Sequence, residues 1–335
     1  MKTSEKIIEY IQEKGEASAS ELVDYLELSE RAIFKQLRNL LDSGDLIKKG
    51  IPPKVYYMVV SNQNVAMKEE IGIHDSPIEY LIIDEQLKHF IGQNFFQITP
   101  IGLVEEGLDG FVKWCRKRSL PVSKTASEYR STLLRYQRHF NKAGLIDGMG
   151  KFKSTFNEIF LDEVYYLDFY SVERFGKTKL GQKLLYAKQS QNKQLTKELS
   201  IESAPKIKTL IKNKRIDAVG FIPPTVKREV QFIKEFEKGL NLKLPIVRIV
   251  KIRTKIAVPQ KTLSKLDDRI ENAKATIVAD DRRSFTNVLL IDDAVGSGAT
   301  LNETAKGIKQ KGISKKVIGI AITGSFKGFD VISEV

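Results

Sequence analysis

The stretch Phe285–Asn302, FTNVLLIDDAVGSGATLN, constrains the fold more than any other part of the chain. Val288-Leu289-Leu290-Ile291 is a short apolar run of β-formers and predicts a buried strand. Asp292 and Asp293 stand where that strand emerges. Ala294 to Thr300 is a loop of small residues, leading to a helix predicted to begin near Leu301. Ligands of open α/β sheets sit beyond the carboxyl ends of the strands. Gly296 and Gly298 let backbone approach a ligand closely. Successive N–H groups backed by a helix N-terminus make an anion seat, and Ser297 and Thr300 add hydroxyl donors. Two carboxylates just before that seat can accept from two neighbouring hydroxyls, as on a ribose. The stretch therefore predicts a site for a sugar bearing a phosphate at one end. A P-loop is excluded because no Lys follows Gly298, and a dinucleotide fingerprint has no acidic pair before its glycines. A plain strand–turn–helix with a flexible loop leaves the carboxylate pair unexplained.

Asp292-Asp293 followed by Gly296-Ser297-Gly298-Ala299-Thr300 resembles the phosphoribosyl pyrophosphate (PRPP) motif of type I phosphoribosyltransferases. The resemblance implies that Asp292 and Asp293, the catalytic positions, bind the ribose 2′ and 3′ hydroxyls. It implies that Gly296 to Thr300 hold the 5′-phosphate. It also implies a Mg²⁺ ion bridging the ribose hydroxyls and the pyrophosphate. Some purine enzymes of that family carry a carboxylate base at the position of Gly296, which this chain lacks.

At 335 residues, 41% of them hydrophobic, the chain can hold two or three domains with real cores. Its start reads as an amphipathic pattern without a signal peptide, and no apolar run approaches membrane-spanning length. A cytoplasmic protein with no membrane partner is expected. The single cysteine, Cys115, excludes an internal disulfide, and His74, His89 and His139 show no metal-ligand spacing. The net charge of +13 is uneven. Lys plus Arg against Asp plus Glu is 9 against 10 over residues 1–60, 20 against 18 over 61–205 and 26 against 14 over 206–335. The excess lies with the predicted phosphate site, where a polyanionic small ligand or nucleic acid would account for it.

Residues 1–62 predict a compact helical module. Ile7, Ile8 and Ile11 recur at helical spacing, Ser18 to Glu21 predicts a capped second helix, and Ser29 caps a third. Arg31, Lys35 and Arg38 share the outer face of that third helix. Leu46 to Lys49 and Val55 to Val59 predict two strands around Gly50-Ile51-Pro52-Pro53. Three helices followed by a β-hairpin look like a winged helix-turn-helix. The resemblance implies DNA binding, with Arg31, Lys35 and Arg38 in a major groove and Lys48, Lys49 and Lys54 on the wing. The alternative is a winged helix that binds protein, which the module's near-neutral charge favours.

Residues 63–155 predict a helical connector, basic and aromatic. Ser61 to Asn64 reads as a linker and Pro77 to Phe96 as helix. Between Lys113 and Lys142 nine Lys and Arg face one carboxylate, Glu128, interleaved with Trp114, Tyr129, Tyr136 and Phe140. That mixture either tracks a nucleic-acid strand or is a helix with its aromatics inward. Asn141 to Lys153, with Gly144, Gly148 and Gly150, reads as a loop.

Residues 156–335 turn to an α/β pattern. Strands are predicted over Val164–Tyr170, Ile216–Ile222, Ile246–Val250 and Val317–Thr323, and helices over Lys179–Lys188, Pro205–Lys212, Val230–Leu240 and Leu301–Gln310. The order predicts a parallel sheet. The Ile222-Pro223-Pro224 turn with Arg228, and Thr254, Gln260, Leu263, Arg269 and Asn272 in order, are similar to the ComF-like branch of the phosphoribosyltransferases. Their RGFNQ-like run is reduced here to Arg228-Glu229-Val230-Gln231-Phe232, and their cysteine-based zinc module is absent. The resemblance assigns the pyrophosphate loop to Pro224, Thr225, Lys227 and Arg228. It assigns a flexible lid to Lys251–Lys265, with Arg253, Lys255, Gln260 and Lys261 over the pyrophosphate. Phe326 and Phe329 either stack on a base or pack in a core.

The expectation is a phosphoribosyltransferase-type α/β domain with a parallel sheet, preceded by a winged-helix domain and a helical connector. Three classes of function stay open. One is transfer of ribose 5-phosphate from PRPP to a nitrogenous acceptor such as a nucleobase. The second is a DNA-binding regulator that senses PRPP or a nucleotide, and the third is a ComF-like DNA-handling factor. A homodimer is compatible with each.

Overall fold

The structure, a computed structural model, describes residues 3–43, 45–51, 54–59, 83–224, 228–252, 263 and 265–325. The chain falls into two compact units, Met1–Pro77 and Ile78–Val335.

The first unit holds helices α1 (Thr3–Lys14), α2 (Ala19–Leu26) and α3 (Glu30–Asp42). Strands β1 (Ala17–Ser18), β2 (Leu46–Ile51) and β3 (Lys54–Val59) form an antiparallel sheet in the order β1-β3-β2. Ile7 and Ile11, one helical turn apart, are fully buried with Leu22, Ile33 and Leu37. Ser18 and Glu21 close a capping box on α2, and the Ser29 hydroxyl accepts the Ala32 N–H on α3. Both helices therefore start at the serines that predicted them.

The second unit is mixed α/β. Its first helices are α4 (Glu85–Asn94), α5 (Gly107–Arg116) and α6 (Val122–Gln137), with a small hairpin of β4 (Phe96–Ile98) and β5 (Val104–Glu106) between α4 and α5. Then come β6 (Ile146–Asp147), α7 (Met149–Thr155), β7 (Glu163–Phe169), α8 (Lys179–Gln189), α9 (Lys193–Lys214), β8 (Ala218–Phe221) and α10 (Phe232–Leu240). The remaining elements are β9 (Ile249–Lys251), α11 (Leu266–Thr276), β10 (Ile277–Ala279), β11 (Phe285–Val295), α12 (Ala299–Gln310) and β12 (Ser314–Gly324). Five strands make one sheet in the order β6-β7-β12-β11-β8. β7, β12, β11 and β8 run parallel, and β6 is an antiparallel edge.

The apolar run in β11 is buried on both faces because helices cover both. Val288 and Leu290 face a layer with Phe152, Leu301, Ala305 and Ile308. Leu289 and Ile291 face the other, with Leu184, Leu199, Leu210 and Phe236. β11 pairs with β12 on one side and β8 on the other, so its carboxyl end lies inside the sheet. Among the described residues no helix is long and apolar enough to cross a membrane.

Three expectations are corrected, and one alternative is narrowed. Asn141–Lys153 is not a loop: Ile146 pairs with Tyr166 in the sheet and Phe152 is fully buried in the core. Gly144 and Gly148 lie between short elements, and Gly150 lies inside α7. Ile246–Val250 is not a full strand of the parallel sheet. Val247 donates to the Val219 carbonyl at 2.7 Å, an isolated bridge follows from Val219 to Ile246, and the chain then leaves as β9 to pair antiparallel with β10. The helix predicted from Pro205 begins at Lys193 and carries Pro205 inside it. Of the two readings of Lys113–Lys142, inward packing describes Trp114 and Tyr129, while Tyr136 and Phe140 are half-buried. Trp114 and Tyr129 pack with Phe95, Phe111 and Phe175, and their rings meet edge-on or stacked inside the unit. Of the intervening cations, Lys113, Lys117, Lys124, Arg138 and Lys142 are exposed, Arg118 and Arg130 lie over the Trp114 and Phe90 rings at 4.6 and 6.0 Å, and Arg135 pairs with Glu173.

Candidate functional site

β11 continues past the apolar run, so Asp292 and Asp293 are its last residues but two, and Val295 is buried again. The chain turns at Gly296-Ser297-Gly298 and enters α12 at Ala299, two residues before the expected start. Gly298 has φ +86°, and a Cβ there would sit 2.5 Å from the Phe152 ring. Both facts require glycine at this position. The Ser297 hydroxyl, buried, accepts the Ala299 N–H at 3.3 Å. Thr300 is half-buried in the first turn of α12. The remaining N–H groups of that turn have no partner inside the helix by the geometry of any helix start, and the helix dipole adds to their pull on an anion.

Both carboxylates are half-buried. Asp292 Oδ1 accepts the backbone N–H of Asp293 at 2.8 Å. Lys188, at the end of α8, places Nζ 2.6 Å from Asp293 Oδ2. Burial, and then the negative charge of Asp293, push the Asp292 carboxyl well above the usual carboxylate range, against the opposing pull of the Asp293 N–H and Lys188. Of the two carboxylates near the end of this central strand, Asp293 is paired with a cation and Asp292 is bonded to backbone.

The segment after β8 comes to the same place. The Arg228 guanidinium donates to the Lys188 carbonyl, and the Val230 N–H donates to Gln191 Oε1 at 2.9 Å. Pro224 is exposed just beyond β8. Thr225 and Lys227 lie outside the described residues, as do Arg253, Lys255, Gln260, Lys261, Phe326 and Phe329. The far end of the expected lid is anchored: Arg269, buried on α11, donates to the Leu263 carbonyl at 2.6 Å. Lys151 lies buried near Arg269. Burial first and the Arg269 charge second lower its proton affinity to about 8.

Asn302 fixes the seat from below. Its amide oxygen accepts the Phe160 N–H at 2.9 Å and its amide nitrogen donates to the Glu158 carbonyl at 2.9 Å. Lys188, Phe152 and Asn302 were not found as site residues in the sequence. None has a local signature, since each acts on a partner far away along the chain.

In the first unit Arg31, Lys35 and Arg38 are exposed on one face of α3, and Phe34, half exposed, stands among them. Lys48 and Lys49 are exposed on β2, and Lys49 pairs with Glu16 at 2.9 Å. Lys54 begins β3, and its side chain lies outside the described residues.

A separate cavity of about 250 Å³ lies where α4 and α6 meet the end of β7, with Asp168 and Lys206 among aromatic walls. No residue from 292 to 300 lines it. Compared with protein-family models and with curated proteins, the chain matches none.

Proposed function

We propose that the second unit is a phosphoribosyltransferase-type domain that binds PRPP and transfers ribose 5-phosphate to a nitrogenous acceptor such as a nucleobase. The observation that carries this reading is the order along the central strand: two carboxylates, then a Gly-Ser-Gly turn, then the N-terminus of α12. The carboxylates accept the ribose 2′ and 3′ hydroxyls. The turn and the first N–H groups of α12 hold the 5′-phosphate. In the transfer the bond from C1 to the pyrophosphate oxygen breaks, a bond from C1 to the acceptor nitrogen forms, and that nitrogen gives up a proton. Catalysis then rests on positioning and on stabilising the departing pyrophosphate. Pro224 to Arg228 form the pyrophosphate loop in this reading, and Arg253, Lys255, Gln260 and Lys261 form the lid.

A Mg²⁺ ion suits the oxygen donors at the strand end. Among the described residues no group of three or more His, Cys, Asp or Glu side chains is placed to hold a metal alone. The ion would therefore take most of its six oxygen ligands from PRPP and water.

A second reading has its own observation. The exposed face of α3 combines Arg31, Lys35 and Arg38 with an exposed Phe34, in a unit of three helices and an antiparallel sheet. Such a face suits a major groove, with cations for phosphates or guanine edges and a ring for a thymine methyl. The first unit would then be a winged helix, and the protein a cytoplasmic regulator in which PRPP is a signal. Gly296 in place of a base supports that reading too.

Calorimetric titration with PRPP and Mg²⁺, followed by pyrophosphate release with a panel of nucleobases, tests the first reading. Binding with base-dependent release is expected. Binding without release moves the function to the regulator, for which duplex affinity with and without PRPP is the next measurement. No binding removes the PRPP reading.

A further inference from the structure

The sequence gives Lys188 no role, yet its side chain is the cation that meets the acidic pair. Lys188 Nζ lies 2.6 Å from Asp293 Oδ2, and both side chains are about a quarter exposed. The backbone around it is tied to the segment after β8. Arg228 donates to the Lys188 carbonyl, Val230 donates to Gln191 Oε1 at 2.9 Å, and the Gln231 amide donates to the Arg228 carbonyl at 3.0 Å. The last turn of α8 is thus held between the two carboxylates and the segment expected to hold a pyrophosphate.

The pairing has a consequence for any ligand whose hydroxyls use these carboxylates. A vicinal diol must donate to Asp292 and Asp293, and Oδ2 of Asp293 is already engaged by an ammonium. A hydroxyl that takes the same site on that oxygen competes with Lys188. A displaced ammonium in a half-buried site needs another anion, because an unpaired charge there is costly. Lysine is suited to the exchange, being a point charge with rotatable donors on a flexible four-carbon stem. The nearest anion such a ligand supplies is the group on its anomeric carbon, next to the diol.

We propose that Lys188 is a ligand-binding residue of this site, which leaves Asp293 for the diphosphate of a bound sugar diphosphate as the ribose hydroxyls take over the carboxylate. The proposal rests on the PRPP reading above and adds to it the source of selectivity for a diphosphate. Without a ligand Lys188 offsets part of the repulsion between the two carboxylates. In the filled site it neutralises the group that departs. Because its carbonyl is bonded to Arg228, its shift is transmitted to the segment after β8.

The test compares two probes by calorimetry, PRPP with Mg²⁺ and ribose 5-phosphate with Mg²⁺, on the full chain and on Lys188→Met and Lys188→Arg. The readout is the ratio of the two affinities. Lys188→Met is expected to weaken PRPP by about tenfold or more. It should leave ribose 5-phosphate unchanged or tighter, since the competitor for Asp293 is gone. Lys188→Arg should restore most of the preference, and thermal melts establish that each variant is folded. If Lys188→Met tightens both probes, or changes both by one factor, Lys188 only blocks or braces the site and the proposal is wrong while the PRPP reading stands. If the unaltered chain binds neither probe, the PRPP reading and this proposal fall together. Should Lys188→Met not fold, Lys188→Arg and Lys188→Gln carry the same comparison, and an unchanged ratio in Lys188→Gln overturns it.

Discussion

Asp168 and Asp292 stand near the carboxyl ends of two strands of one sheet, β7 and β11, with β12 between them. Burial raises the proton affinity of both. Their neighbours differ. Asp168 accepts the Phe169 N–H at 2.8 Å, and Thr178 and Lys206 beside it also favour its charged form, so that burial raises it only to about 6. These partners belong to the fold: Thr178 also donates to the Phe169 carbonyl at 2.6 Å and Lys206 to the Leu167 carbonyl at 3.3 Å. Asp292 faces a second carboxylate, and the cation of that pair comes from the last turn of a helix. Desolvation alone does not mark a binding carboxylate. A like charge beside the carboxyl is particular to Asp292.

The largest effect expected from this contrast is on ligand binding. Asp292→Asn with Asp293→Asn removes both carboxyl groups and should weaken PRPP by about 100-fold or more, whereas Asp168→Asn should stay within about threefold. Calorimetry on the two variants measures it, and equal losses would erase the distinction between the sites. Next in size is Gly298→Ala. The new methyl must hold a positive φ and push against Phe152, costing about 2–4 kcal/mol of stability by denaturant titration. Adding Phe152→Ala should not restore it fully, because the backbone term remains.

The pH dependence separates the two carboxyls more finely. Each is protonated more readily in the folded than in the unfolded chain. Each therefore contributes stability that is complete below the unfolded value near 4 and is lost as pH rises through its folded value. For Asp168 that loss is complete not far above pH 6 and amounts to roughly 3 kcal/mol. Asp168→Asn should flatten the stability profile over that window. Asp292→Asn should flatten a further decline at higher pH, and should raise the melting temperature at pH 8 while costing ligand affinity. A melting temperature at pH 8 unchanged by Asp292→Asn would show that its neighbours already compensate its charge. The smallest effect is in the first unit. Arg31→Ala with Arg38→Ala, both exposed, should leave stability within about 0.5 kcal/mol, and gel-shift measurements should show weaker duplex binding if α3 meets DNA.

Most of the candidate site was legible because it is local. The four apolar residues, the two aspartates and the glycines all fall within Val288–Gly298, and strand, turn and helix followed in the order their chemistry predicts. What reaches the site from elsewhere was not legible. Lys188 is one of several lysines on an ordinary amphipathic helix, 105 residues from Asp293. Phe152 sat in a stretch whose glycines suggested a loop. β9 and β10 are three residues each, too short for alternation to show. The aromatics of 113–142 did carry a usable signal. Val122, Ala126 and Tyr129 recur at four and three residues, the spacing of an inward helix face, and that spacing outweighs the mere mixture of cations and rings.

The Asn302 amide bonds reach residues 142 and 144 positions away along the chain. They carry a consequence for how the protein is made. The α12 N-terminus is held in place by a segment synthesised long before it, and β11 is flanked by strands from both sides of it in the sequence. Contacts of such long range form late and slowly in folding. A nascent chain would carry a finished first unit while the turn into α12 was not yet braced, and a fragment beginning after residue 162 would contain every residue of the motif without the brace that shapes it.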